Sequence, residues 1–277
     1  MSWTKLQDEY IECGVIRFVA STLSGSKQVA NQSVSEWIPP EDPDPDAILT
    51  EAVNDTDARR YEDALAKHLW FYREALRYRP SLYGVRLSFA LGYWVELGGV
   101  YPPAMRELEK IRDETGQRIL NGKTNSLRDL FRDFQGINRA LQTETETADL
   151  FIRLDRDCPD QAEQVFDVAL AALLKSKEYK LCGKYLKPMD MIRRDGDTFR
   201  RHENMAKEPR YANKDFEKVG RQIFTNDASI LVALLVVNDR KPEAEEVAEC
   251  ARKEWDDTGF RAALNKALTG EIPKPWP

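Results

Sequence analysis

The strongest constraint on the fold is the spacing of a few small and aromatic residues between positions 91 and 104. The pair Leu91 and Gly92 is followed by Gly99, and the tetrapeptide from Tyr101 to Ala104 comes directly after. Small side chains at 92 and 104 let two helices cross closely, and Tyr101 fills the space beside them. The spacing therefore predicts a helical hairpin with its turn near Gly99.

Weaker forms of the same signature recur along the chain. The matching tetrapeptides begin at Tyr61, Thr145 and Tyr179, and small residues near the end of the chain repeat at Ala244 and Ala251. The small-residue anchors of these units are Ala64, Ala104, Ala148, Cys182 and Ala244, at intervals of 40, 44, 34 and 62 residues. Unequal intervals predict an irregular array, with an extra helix between 187 and 224.

This pattern resembles the tetratricopeptide repeat superfamily over residues 45–270, and residues 61–112 are also similar to uncharacterised bacterial proteins of that type. The resemblance implies an all-α fold, namely a tetratricopeptide-like α-α superhelix, a solenoid of irregular helical hairpins. It implies an architecture and no activity.

The chain is expected to divide into an N-terminal segment with a Pro- and Asp-rich linker, residues 1–44, and a helical repeat domain, residues 45–277. The N-terminal segment contains one helix-like apolar stretch, residues 10–23. Alternating prolines in the linker disfavour helix, and Asp44 followed by Pro45 is a good N-cap and first helical position. A helix is expected to begin there.

The apolar run Ile230–Val237 is the one segment where a strand and a helix compete. Its β-branched residues suit a strand, but Asn226 and Asp227 offer an N-cap and the neighbouring sequence is helical. We interpret it as a buried helix. At eight residues it is far shorter than the ~20 residues of a membrane span.

Charge and cysteine content narrow the functional classes. The net charge is −6, and residues 36–63 alone carry ten acidic and two basic residues. Such a balance argues against binding to nucleic acid or to anionic membranes. The four cysteines are widely separated and the N-terminus lacks a signal-peptide pattern, which favours reduced thiols and a cytoplasmic location.

Two motifs resemble catalytic sequences and fail on spacing. Residues 116–124 resemble a phosphate-binding loop, but five residues separate the glycines and the preceding segment is helical. Residues 202–206 begin like a zinc-protease helix, but Ala206 stands where the second histidine is required. With only two histidines in the chain, we expect no enzyme activity, no metal and no small-molecule cofactor.

The remaining candidate is the concave face of the array. Its predicted partner-binding residues are Arg86, Phe89, Tyr93 and Glu96 on one helix stripe, with Asp133, Gln164 and Asp167 at analogous positions of later units. Aromatic rings supply contact area, and arginine pairs with carboxylates. The alternative is that the aromatic residues pack between helices and Arg86 pairs internally with Glu96 or Asp63. His68, Trp70 and Phe71 are interpreted as core residues.

Two functions are therefore open from the sequence. The first is a non-enzymatic scaffold that binds a protein or peptide partner on its concave face. The second is an immunity or inhibitor protein whose acidic residues 36–63 neutralise a basic enzyme. Neither involves nucleic acid, a membrane or a cofactor.

Overall fold

The computed structural model describes residues 35, 37–122, 126–209, 211 and 214–275. Within these ranges the chain forms helices and turns and no strand, so the all-α prediction is confirmed. The expected helix at 10–23 and Cys13 lie outside the described residues.

Thirteen α-helices and one 3-10 turn make up the described chain. They are α1 (Pro45–Asp57), α2 (Tyr61–Tyr78), the 3-10 turn Pro80–Leu82, α3 (Tyr83–Arg86), α4 (Phe89–Val100), α5 (Pro102–Leu120), α6 (Leu127–Ala140), α7 (Glu144–Asp157), α8 (Pro159–Lys175), α9 (Tyr179–Tyr185), α10 (Pro188–Ala206), α11 (Lys214–Val237), α12 (Lys241–Glu254) and α13 (Thr258–Ala267).

Cap chemistry explains where α1 begins. The Asp44 carboxylate accepts a hydrogen bond from the Asp46 backbone N–H at 3.2 Å, and Pro45 occupies the first helical position. The predicted start is confirmed.

Helix α11 confirms the helical interpretation of Ile230–Val237 but corrects its expected start. The helix begins at Lys214, so Asn226 and Asp227 lie in its interior and cap nothing. The segment Phe216–Val237 is the one stretch of the described chain long and apolar enough to cross a membrane, and 56% of its most apolar window is buried inside the protein. A helix at the centre of a core has the same composition.

One turn geometry joins four pairs of helices. Arg59, Gln142, Lys177 and Asp239 each adopt a left-handed backbone with φ between 59° and 63°. After each of them, the next N–H donates to the carbonyl five residues earlier, at 2.8 to 2.9 Å, which satisfies a carbonyl at the helix end. The small residue five positions after each left-handed residue is fully buried; these are Ala64, Thr147, Cys182 and Ala244.

The hairpin of α4 and α5 contains the expected close contact at a different glycine. Gly92 is exposed, and a Cβ added there would meet no atom within 4 Å. A Cβ on Gly98 would lie 2.8 Å from the Met105 side chain and 3.3 Å from its Cα. The small residues that permit the crossing are therefore Gly98 and Ala104, and the role expected for Gly92 is wrong.

Each helix packs mainly on the next one or two along the chain. For example, α4 packs on α5 and α6, α6 on α7 and α8, and α11 on α12 and α13. The core accordingly forms three clusters in chain order: one around Phe71 and Leu82, one around Trp94 and Leu108, and a large one from Ile119 onward.

The residues interpreted as core occupy the first two clusters. His68 and Phe71 are each 1% exposed, and Trp70 packs against the cluster around Phe71. His68 also stacks on Trp94, with 5.8 Å between the ring centroids. The core interpretation is confirmed for His68 and Phe71, whereas Trp70 is partly buried at the edge of the first cluster.

Candidate functional site

Arg86 ends the short helix α3, and Leu87 and Ser88 separate it from α4. The break has a local cause: the Ser88 hydroxyl donates to the Gly84 carbonyl at 2.7 Å, a side-chain bond that competes with regular helix. Arg86 and Phe89 therefore do not share a helix. The expected continuous stripe from 86 to 96 is wrong at this point.

The Arg86 guanidinium is held inside the protein. The residue is 5% exposed and forms an ion pair with Asp133 of α6. It also lies 4.7 Å from the Tyr72 ring centroid and 5.7 Å from that of Tyr83, distances at which aromatic faces attract cations. Ionic and aromatic contacts together surround it.

Burial opposes charge on both members of this pair. It works to lower the pKa of Arg86, but the adjacent Asp133 carboxylate outweighs it, so the pKa of Arg86 lies above its ordinary value. Burial raises the pKa of Asp133, against the pull of Arg86. The internal pairing foreseen for Arg86 exists, but with Asp133 and not with Glu96 or Asp63.

The other three members of the predicted stripe lie on α4. Phe89 and Tyr93 are partly buried, and Tyr93 packs against the first core cluster. Glu96 is exposed; partial burial of its carboxyl and the charge of Asp57 on α1 raise its pKa. Tyr93 and Glu96 thus face the first hairpin.

Asp167 and Gln164 of α8 come together at Arg128, in the first turn of α6. Arg128 Nη1 donates to Asp167 Oδ1 at 2.6 Å and to the Gln164 carbonyl at 3.1 Å, and Nη2 donates to Asp167 Oδ2. A two-pronged contact of this kind fixes both partners. Burial alone raises the pKa of Asp167, but Arg128 holds it below its usual range.

A second group of charges lies between α10 and α11. Asp195 and Asp227 line two adjoining cavities of about 230 Å³ and 70 Å³, so the two carboxyls stand between them. Neither carboxyl has a hydrogen bond or ion pair with any described residue. Burial raises the pKa of Asp195 to about 6, against Arg194. Burial and the Asp195 charge raise the pKa of Asp227 to about 7.

The charges around Arg128 and Asp167 and the pair Asp195 and Asp227 lie along one continuous surface, which we call the polar groove. A third cavity, of about 210 Å³, is lined by Arg128 and Gln164 and shares Asp167, Met191 and Arg194 with the 230 Å³ cavity. The groove thus crosses α6, α8, α10 and α11 in chain order. Its charged residues are Arg128, Glu163, Asp167, Lys187, Asp190, Arg194, Asp195 and Asp227.

Sequence reasoning missed Arg128, Arg194, Asp195 and Asp227. One signal was present: Asp195 is four residues from both Met191 and Phe199, so it falls on an apolar face of a helix. A carboxyl at such a position is either paired with a cation or protonated. Either state makes it a candidate functional group. Arg128 gave no comparable signal.

In the two motifs that fail on spacing, residues 116–124 and 202–206, the residues that the structure describes have structural roles. His202 Nε2 lies 2.8 Å from the Phe216 carbonyl oxygen, and its ring stacks on Phe216 with 4.1 Å between the centroids. Gly116 lies inside α5 against Phe134, while Lys123 and Thr124 are outside the described residues. Within the described ranges, no three His, Cys, Asp or Glu side chains converge as a metal site would require.

Comparison with family models, with curated proteins and with solved structures gives no match to this chain.

Proposed function

We propose that the protein is a non-enzymatic cytoplasmic scaffold of tetratricopeptide-like hairpins that binds an extended segment of a protein partner along the polar groove. Three features support the repeat architecture: near-neighbour helix packing, the recurring left-handed turn, and the buried small residue that follows each such turn. Helical arrays of this kind present one continuous face to a partner.

The continuity of the groove is the observation that carries the proposal. Cavities of about 210, 230 and 70 Å³ share lining residues, so together they form a track across four helices rather than one enclosed pocket. An enclosed pocket suits a small molecule, whereas a track suits a chain. Charges of both signs line it, which favours a polar segment that carries both signs over an apolar one.

The predicted binding residues contribute unequally to this proposal. Asp167 and Gln164 lie in the groove, whereas the buried Arg86 and the partly buried Asp133 form their own ion pair, which joins α3 to α6. We therefore assign ligand contact to Asp167, Gln164 and Arg194, and a structural role to Arg86 and Asp133.

The inhibitor alternative has less support because its acidic segment is engaged internally. Asp44 and Asp46 pair with Arg79, and Asp55 pairs with Lys67 and Arg60. These pairs reduce the charge that residues 36–63 offer to a basic partner.

A displayed library of random peptides tests the scaffold proposal. Peptides enriched on the wild-type protein are measured for Kd against wild type, Asp167→Ala and Arg194→Ala. The matched control is Glu249→Ala, an exposed carboxylate on α12 that lines none of the three cavities. We expect Kd to rise at least about tenfold, or 1.4 kcal/mol, for both groove variants and to stay unchanged for the control.

Circular dichroism checks that the variants keep their helix content. The proposal is abandoned if no peptide is enriched, or if enriched peptides bind the folded groove variants as tightly as they bind wild type.

A further inference from the structure

Two carboxyls line the same cavities at the interface of α10 and α11, and no cation of the described chain forms an ion pair with either of them. Asp195 and Asp227 each line both the 230 Å³ and the 70 Å³ cavity, and Asp227 is close enough to feel the Asp195 charge. Both side chains are only partly exposed. Two like charges at such a site repel each other more strongly than they do in water.

The nearby charges do not neutralise this pair. From α8, Asp167 faces the same cavity and is engaged by Arg128. From α10, Arg194 lines the larger cavity and its charge acts on Asp195, while His202 lines the smaller cavity and contacts the Phe216 carbonyl.

The other helices packed on α10 and α11 also carry charges. On α12, Glu254 lies beside Gly196 and pairs with Arg200. On α9, Lys180 pairs with Asp239 at the far end of α11. Lys266 of α13 lines a separate cavity beside Asn226. Arg221 of α11 pairs with Glu203 and Glu217.

We propose that Asp195 and Asp227 form a proton-dependent latch: with a proton bound to the pair, α10 and α11 stay together, and its release to solvent lets the two carboxylates push the helices apart and widen the cavities between them. The pKa of Asp227, raised to about 7, places this release near neutral pH. The latch operates in the free protein and needs no ligand.

The first consequence is a pH dependence of folding with a defined sign. A carboxyl whose pKa is raised in the folded state binds a proton there more tightly than in the unfolded chain, so stability falls as pH rises through the folded pKa. For Asp227 the folding equilibrium constant should drop about tenfold between pH 6 and pH 8. Asp227→Asn should remove that drop.

Hydrogen–deuterium exchange separates the latch from a purely global effect. Wild type and Asp227→Asn are compared with each other at pH 6 and again at pH 8, so that the intrinsic pH dependence of exchange cancels. We expect residues 188–206 of wild type to exchange at least about threefold faster than those of the variant at pH 8, and at equal rates at pH 6. Residues 45–78 should not differ at either pH.

Two further variants complete the experiment. Asp195→Asn should abolish the pH 8 difference in the same way and replaces Asp227→Asn if that variant does not fold. Asp239→Asn, at an exposed carboxylate in the turn after α11, should behave as wild type. Equal exchange of wild type and both latch variants at pH 8, or a difference that extends to residues 45–78, would overturn the proposal.

Discussion

At the scale of single residues, burial determines which charged side chains solvent can reach. Arg86 and Arg194 are both arginines of the helical array, but Arg86 is 5% exposed and bound to Asp133, whereas Arg194 is exposed and lines two cavities. The same residue type is therefore buried in an ion pair at one position and accessible to solvent at the other.

Arg86→Ala should lower the free energy of unfolding by about 3–5 kcal/mol, because the partly buried Asp133 carboxylate loses its ion-pair partner. Urea denaturation followed by circular dichroism measures the change. The double variant Arg86→Met/Asp133→Leu should recover most of the loss, since it removes both charges. Arg77→Ala, at an exposed pair with Glu74, serves as control and should cost less than about 1 kcal/mol. A loss this small for Arg86→Ala would show that the pair is not structural.

His68 is a buried base, and neither of its ring nitrogens has a hydrogen-bond partner within the part of the chain that the structure describes. Burial lowers its pKa to about 4, well below its ordinary value of 6.5. The folded protein therefore keeps a neutral imidazole at pH values where the unfolded chain binds a proton. The stability that follows is complete above pH 6.5 and is lost as pH falls toward 4.

Comparison of wild type with His68→Phe isolates this effect, because the other titrating groups cancel in the difference. Wild type should lose about 2–3 kcal/mol relative to His68→Phe between pH 7.5 and pH 4.5. Denaturant titrations at the two pH values measure the difference. If it does not change with pH, His68 is not held neutral by burial.

Single residues also show how much of the candidate site can be predicted from the sequence. The burial of His68 and Phe71 follows from helical periodicity, which is a local property. The partner of Arg86 is 47 positions away, on a helix whose approach depends on the packing of α4 and α5, so no local pattern predicts that Asp133 is that partner. Charge pairs between distant helices are fixed only once the helices are placed.

At the scale of elements, the four left-handed turns are the most uniform feature of the chain. None of Arg59, Gln142, Lys177 and Asp239 is glycine, although glycine adopts this conformation at no steric cost. Each turn therefore holds some strain that the following hairpin contact maintains.

Substitution of Lys177 tests this strain directly. Lys177→Gly should raise the free energy of unfolding by up to about 1 kcal/mol, and Lys177→Val should lower it by about 1–2 kcal/mol because a β-branched residue fits the left-handed region poorly. Lys180→Gly, inside α9, is the control and should cost about 1 kcal/mol. Thermal melts monitored at 222 nm rank the variants. The interpretation fails if the glycine destabilises both positions equally.

The sequence predicts the start of a helix correctly where a capping side chain acts on the adjacent backbone. It predicts the start wrongly where packing against distant residues decides it. Asp44 and Pro45 begin α1 because their side chains act on the adjacent backbone. Asn226 and Asp227 have the same cap potential, but the apolar residues on either side of them pack in one core, and α11 runs straight through. Tertiary packing overrode the local signal there.

At the scale of the whole molecule, the core consists of three clusters joined in chain order. Ile137 on α6 belongs to the cluster around Trp94, while Phe131 and Phe134 of the same helix belong to the large C-terminal cluster. Helix α6 is therefore the element through which stability is shared between the two halves.

Calorimetry should show that heat unfolding is not a single two-state transition. Phe71→Ala removes a fully buried ring from the first cluster, and Phe260→Ala removes one from the last; each should cost about 3–5 kcal/mol. We expect each variant to lower mainly the transition of its own half, with a calorimetric enthalpy larger than the van't Hoff enthalpy. A single transition displaced equally by both variants would mean that the clusters unfold as one.

Near-neighbour packing also sets the elasticity of the molecule. Because each helix packs mainly on the next one or two, a small rotation at one joint carries the later helices along without breaking their own contacts. Small rotations at successive helix contacts add up along the chain. Bending along the chain is therefore the softest motion of the packed helices, and under the proposed function a long partner would be accommodated by many small rotations while every core cluster stays packed.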